Sequence, residues 1–351
     1  MFTKIMVPLD GSLRAEQAIP VAGRIARTSS ASILLLRVVE VPIVHPSHFA
    51  EPPLSDEEAA QKKASDYLKQ VAQSDALKGI GVEISVVFGS AADMVLETAE
   101  TSRPDLIVMC SHGYTGLKRW MLGSVADRVI RHMPVPTLIL HEHGPAPLAS
   151  GAVNPVPLQA LVPVDGSELA EEVLTPTWQL LMALAPDTPK ELHLLRVVDL
   201  PAIAGVGKSQ AHITSGIIAE AKQEAMDYVA ALIQRLRQEI PPSAQITIGS
   251  TVELDTDVAE AILKETEESG EAGEDGYQGY NMIAMATHGR SGIRRWMMGS
   301  VTERVLHHSS VPLFIVRPQK LARQEEGEVD TDKQHAEAEQ RAEFGEFPSI
   351  L

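Results

Sequence analysis

One stretch of this chain is written twice. "CSHGYTGLKRWMLGSVADRVI", from Cys110, and "ATHGRSGIRRWMMGSVTERVL", from Ala286, agree at 11 of 21 positions without a gap, and most other pairs keep size or charge, as Asp127 does against Glu303. Two more blocks recur in the same order. "IMVPLDGSLRAEQAI" from Ile5 answers "ALVPVDGSELAEEVL" from Ala160, and "LLLRVVEVP" from Leu34 answers "LLRVVDLP" from Leu194. Three matched blocks in one order constrain the chain to two copies of one domain, and 351 residues is a length that accommodates both.

Each block is a short apolar run ending in a turn or a helix start. Strands are predicted at 4–8, 33–39, 82–88, 106–110 and 137–140, then near 160–164, 191–198, 245–249, 282–287 and 313–316. Segments of helical composition lie between them, such as "SDEEAAQKKASDYLKQVAQ" and "GIIAEAKQEAMDYVAALIQRLRQ". Nearly unbroken apolar strands alternating with helices are the pattern of a parallel sheet buried on both faces. The expected fold class is therefore α/β: two tandem Rossmann-like domains, each a five-stranded parallel sheet flanked by helices on both faces. Domain 1 is assigned to 1–143, a Pro/Gly/Ala-rich linker to 144–158 and domain 2 to 159–320. Domain 2 carries an acidic, glycine-rich insertion at about 268–280, and the acidic tail, 321–351, is too poor in apolar residues to build a core.

Charge and cysteine content narrow the partners. A formal charge of -17 disfavours a nucleic-acid backbone. The lone Cys110 allows neither an intrachain disulfide nor a cysteine zinc cluster, as in a reducing compartment. The opening "MFTKIMVPLDGS" has no apolar signal stretch and no run approaches a membrane span, so a cytoplasmic location without membrane contact is expected.

In open parallel sheets, ligands bind beyond the carboxyl ends of the strands, where the strand order reverses. All three repeated blocks end there. Gly113 permits a sharp exit from the fourth strand, and Gly123 and Ser124 precede the helical "VADRVIRH", with Ser124 placed as N-cap. Gly289, Gly299 and Ser300 repeat the arrangement. Such a helix start favours an anion by about 0.3–1 kcal/mol per group, so a phosphate is the natural occupant. Asp10 and Asp165 either accept a hydrogen bond from a ribose hydroxyl or adenine amine, or cap the following helix. His112 and His288 lack an acidic or metal partner in their blocks and read as turn or surface residues. Trp120 and Trp296 read as covers for a sheet edge or domain interface, and Arg119 and Arg295 stay open between phosphate and solvent. The usual nucleotide and hydrolase signatures are missing, and nothing forms a catalytic constellation.

The blocks "VPLDGS", "LLRVVE" and "SHG-x9-GSVADRVIRHMPVPTLIL" resemble a universal stress protein domain, and the second half resembles another, making a tandem form. The resemblance implies an adenine nucleotide alpha hydrolase-like fold. For the family's ATP-binding branch it implies the phosphate and ribose signature G-x2-G-x9-G-S/T. The second glycine of that signature falls on Gly113 and Gly289, and its closing residues fall on Gly123, Ser124 and Val125 and on Gly299, Ser300 and Val301. Its first glycine is replaced by the small residues Cys110 and Ala286. Adenine-side contacts would fall on Pro8, Asp10 and Val38, and on Pro163, Asp165 and Val197. The family also pairs domains through the last strand, which gives "VPTLILHE" and "VPLFIVRP" the role of matching edges in an internal pseudo-twofold dimer.

The expectation is a cytoplasmic stress-response protein that binds ATP, with magnesium as the companion ion, in one or both domains as a regulatory module rather than an enzyme. The alternative is a nucleotide-free tandem scaffold acting through an unidentified protein partner. Further homo-oligomerisation is compatible with either.

Overall fold

A computed structural model describes residues 1–40, 54–111, 122–133, 135–141, 148, 157–199, 211–268, 279–289 and 298–318, with the side chains of 54–56 and 211–215 excepted. The insertion core and the tail fall outside these residues, as do most of the linker and the loops holding His112, Gly113, Arg119, Trp120, Arg295 and Trp296.

In the first half β1 (Lys4–Pro8) lies between β2 (Ser32–Val39) and β4 (Leu106–Cys110), with β3 (Val82–Phe88) outside β2 and β5 (Thr137–Leu140) outside β4. All four pairings are parallel. The second half repeats this with β6 (Leu158–Pro163) between β7 (Lys190–Asp199) and β9 (Met282–Ala286), β8 (Ile246–Asp255) outside β7, and β10 (Leu313–Val316) outside β9. In each half the chain steps outward in one direction and then crosses to the other side of its first strand. The switch point thus lies between β1 and β4, and between β6 and β9.

The halves fuse. β5 and β10 pair antiparallel, Leu138 opposite Phe314, so two five-stranded parallel sheets become one ten-stranded sheet, joined through the edges named from the sequence. Alternation along the strands supplies a core on each face. Ile5 and Val7 point to one side with α1 (Ala18–Ser29), α2 (Leu54–Ala72), α6 (Leu174–Leu184) and α7 (Ala211–Glu239). Met6 and Ile107 point to the other, with α3 (Ala91–Ser102), α4 (Ser124–His132), α8 (Val258–Glu268) and α9 (Ser300–His308). The remaining helix, α5 (Glu168–Glu171), is a single turn after β6.

Both core layers cross the junction. On one face α1 packs against α6. On the other, Arg131 of α4 holds Asp127 of its own helix at 2.9 Å and Glu303 of α9 at 2.8 Å. Those two carboxylates raise the Arg131 guanidinium pKa further still.

Two strand boundaries differ from expectation by more than one residue. β6 begins at Leu158, which the sequence reading left in the linker, because its first residue pairs with Lys190. Leu148, also in that linker, is buried in the core. β8 continues past residue 249 to Asp255, because its ladder to β7 runs unbroken from Ile246 to Asp255. Gly249 sits inside that ladder, where a Cβ would lie 2.6 Å from the Nδ1 of His193 on the neighbouring strand.

Asp257 precedes α8 and accepts the Glu260 amide at 3.0 Å. That bond, with the Arg304 guanidinium, holds its carboxyl below the usual carboxylate range. A depressed native pKa means that the stabilisation is complete above the unfolded-state value, about pH 4, and is lost as pH falls through the native value. Asp257→Ala should therefore flatten the stability loss at the acid end of a pH-dependent denaturation series; an unchanged acid limb would assign that loss to other carboxylates.

Candidate ligand-binding site

The turn after β1 is built from its own sequence. Asp10 Oδ1 accepts from the Ser12 amide at 2.9 Å and the Ser12 hydroxyl at 2.6 Å, and Ser12 Oγ accepts the Ala15 amide at 3.1 Å. Between them Gly11 adopts φ +82°, which a side chain would resist. After β6 the pattern recurs with Asp165, Ser167 and Ala170, at 2.9, 2.6 and 3.2 Å, around Gly166 at φ +87°. In both turns the aspartate fixes the serine, and in the second half that serine, Ser167, is the N-cap of α5, so the helix-capping expectation for the aspartates is met only through the serine.

The turn after the fourth strand of each half closes at its neck. The Gly123 amide donates to the Ser111 carbonyl at 2.8 Å, and the Gly299 amide to the Thr287 carbonyl at 2.9 Å. This corrects the cap assignment. Gly123 and Gly299 are the N-caps, with extended backbone and carbonyls that accept from Asp127 and Glu303, and Ser124 and Ser300 are the first helical residues. Among the described residues no side chain caps either helix, which leaves the first-turn amides of α4 and α9 without a side-chain cap there. Val125 and Val301 turn inward onto the core.

A cavity of about 670 Å³ opens at the switch point of the second half. It brings together the second-half residues assigned to nucleotide contact: Pro163, Asp165, Val197, Gly289, Gly299, Ser300 and Val301 all line it. Its volume is in the range of small-molecule sites. Pro163 and Val197 supply apolar strand ends, and the first turn of α9 supplies backbone donors. Asp165 stands against Gly289, so that a Cβ on Gly289 would fall 2.1 Å from its Oδ2. This glycine is required by a neighbour.

In the first half the matching walls are in place. Pro8 ends β1, Asp10 shapes its turn, Val38 packs from β2 onto the core, and Gly123, Ser124 and Val125 open α4. Gly113 lies outside the described residues.

Other lining residues were not foreseen. Ala221, Glu224, Ala225 and Tyr228 of α7 form one wall, and Val258 and Ile262 of α8 add to another. Tyr228 donates to Glu171 Oε1 at 2.9 Å, and its phenol pKa is raised by burial and that bond. Arg196 reaches the Val197 carbonyl at 2.9 Å. His288, set aside as a turn residue, lines the cavity with its Nδ1 2.9 Å from the Thr287 hydroxyl. The α7 wall did leave a signal: "AKQEAMDY" repeats "AQKKASDY" of α2. Among the described residues no group of three or more His, Cys, Asp or Glu side chains is arranged to hold a metal, and no helix is long and apolar enough to cross a membrane.

Comparison with known proteins agrees with this architecture. The universal stress protein family matches residues 1–141 and again 159–317. A universal stress protein of Methanocaldococcus jannaschii is 34% identical over 142 residues, covering 40% of this chain and 82% of its own. One from Mycobacterium tuberculosis is 22% identical over 321 residues, covering 89% of this chain and 96% of its own. A crystal structure of a universal stress protein from Archaeoglobus fulgidus covers 90% of this chain and 98% of its own with a TM-score of 0.57, at 20% identity, and so supports the fold alone.

Proposed function

Because this chain belongs to the universal stress protein family and carries two of its domains in tandem, we propose that it is a regulatory module that binds an adenine nucleotide, ATP in the leading case, at the switch point of one or both halves. The observation that carries this reading is the second-half cavity, whose lining holds all seven residues assigned beforehand to nucleotide contact. The donor set fits the ligand. Apolar Pro163 and Val197 offer a slot for a base, Asp165 offers an acceptor, and the uncapped α9 start offers amides to a phosphate.

The role proposed is binding, not turnover: occupancy of a site at the strand ends changes what the sheet and its helices present to a protein partner. A cytoplasmic setting and further association of chains belong to the same proposal. Magnesium would arrive with the triphosphate.

Isothermal titration of the full chain with ATP and magnesium tests this. One or two sites per chain are expected. Gly299→Val should weaken second-half binding at least about tenfold, since a Cβ there already stands 3.3 Å from the Thr287 carbonyl oxygen and the valine methyls would enter the phosphate turn. Gly123→Val should act likewise on the first half. No heat at saturating ATP, and no nucleotide carried through purification, would leave the tandem scaffold as the better account.

A further inference from the structure

The four α7 residues in the cavity wall, Ala221, Glu224, Ala225 and Tyr228, are spaced as one helical face. The equivalent face of α2 carries Ala60, Lys63, Ala64 and Tyr67. The structure fixes that register. Tyr67 donates to Glu16 at 3.0 Å as Tyr228 donates to Glu171 at 2.9 Å, and Ala64 and Ala225 are both buried, as are Leu68 and Val229. Three of the four positions are therefore identical and the fourth reverses its charge.

The other charged lining positions do not differ in sign. Asp165, Arg196 and Asp199 are matched by Asp10, Arg37 and Glu40. Glu224 is exposed at the cavity, and Lys63 is exposed at its counterpart. A carboxylate at this wall repels phosphate charge, whereas an ammonium attracts it, and each added phosphate raises the difference.

We infer that Glu224 sets the charge selectivity of the second-half cavity, which takes an adenine nucleotide of low phosphate charge, the monophosphate class, in preference to the triphosphate, while Lys63 leaves the triphosphate to the first half. This rests on the nucleotide reading above. The two halves are then unequal sensors that report different phosphorylation states of one nucleotide pool.

The test uses the full chain with Gly123→Val silencing the first half, titrated with AMP and with ATP in magnesium-free buffer. AMP should bind more tightly than ATP. Glu224→Lys should raise ATP affinity about three- to tenfold and AMP affinity less, with a gain that shrinks as salt rises. The sequence also sets Arg290 against Tyr114, in loops outside the described residues; Glu224→Lys leaves that difference in place, so the change belongs to position 224. Should the silenced variant fold poorly, the exchange Lys63→Glu with Glu224→Lys in the otherwise intact chain should swap the preferences of the two sites. Binding of both nucleotides with an ATP-to-AMP ratio unmoved by Glu224→Lys would overturn this inference alone. Absence of any second-half binding would overturn it together with the nucleotide reading.

Discussion

Phe314→Ala is expected to lower the unfolding free energy by about 3–5 kcal/mol, among the largest single losses available in this chain. Phe314 is 0% exposed, in the core layer that crosses between the halves. It sits on β10 opposite Leu138 of β5, at the one antiparallel seam of the sheet, with Ala284 of β9 on its other flank. Truncation removes a ring's worth of apolar burial and leaves a void, because neighbours held in strands on both sides cannot close in. β5 and β10 are four residues each, so side chains rather than ladder length must hold the seam. Denaturant unfolding of the full chain provides the measurement. A loss under about 1 kcal/mol would show that the α1–α6 contact and the Arg131–Glu303 bridge join the halves without help from the seam.

How much of this could be read beforehand follows from where the information lies. Strands such as "KIMVP" and "TLIL" are buried on both faces, so their apolar runs state both their presence and their limits, and the structure ends them at the same residues. The strand expected near 245–249 runs on to Asp255, and Gly249 inside it carries no local strand propensity. In the sheet the glycine is demanded by His193 and Glu191 on the adjacent strand, a contact across more than fifty residues that no window on the sequence contains. Ser124 and Ser300 were read as caps because serine favours that position, but the glycine before each is tied to the end of the preceding strand and takes the cap geometry instead. The strand-end residues that line the second-half cavity were legible because repetition marks them. The α7 wall was not, although its motif is also repeated. Helical spacing identifies a face without saying whether that face meets the core or an opening, and Ala225 serves both.

Gly289→Ala carries the second large expectation: loss of second-half ligand binding by at least about tenfold, with a stability cost of about 1–3 kcal/mol. The added carbon would stand 2.1 Å from Asp165 Oδ2 and 3.0 Å from its Cγ, well inside contact distance. Asp165 is short and already anchored, its Oδ1 accepting from the amide and hydroxyl of Ser167, and Ser167 in turn caps α5 through the Ala170 amide. Relief of the clash must therefore move the turn after β6 or the end of β9, and both line the cavity. A double-mutant cycle separates packing from binding. In Asp165→Ala the obstructing carboxylate is gone, so adding Gly289→Ala to it should cost less stability than adding it to the parent chain, with a coupling of about 1 kcal/mol or more. Ligand binding should stay weak in the double variant, because the acceptor proposed for the ligand at Asp165 has been removed as well. Additive stabilities in that cycle, or a Gly289→Ala chain that binds within twofold of the parent at the second half, would show that Asp165 yields freely and that the glycine answers to the loop beyond it.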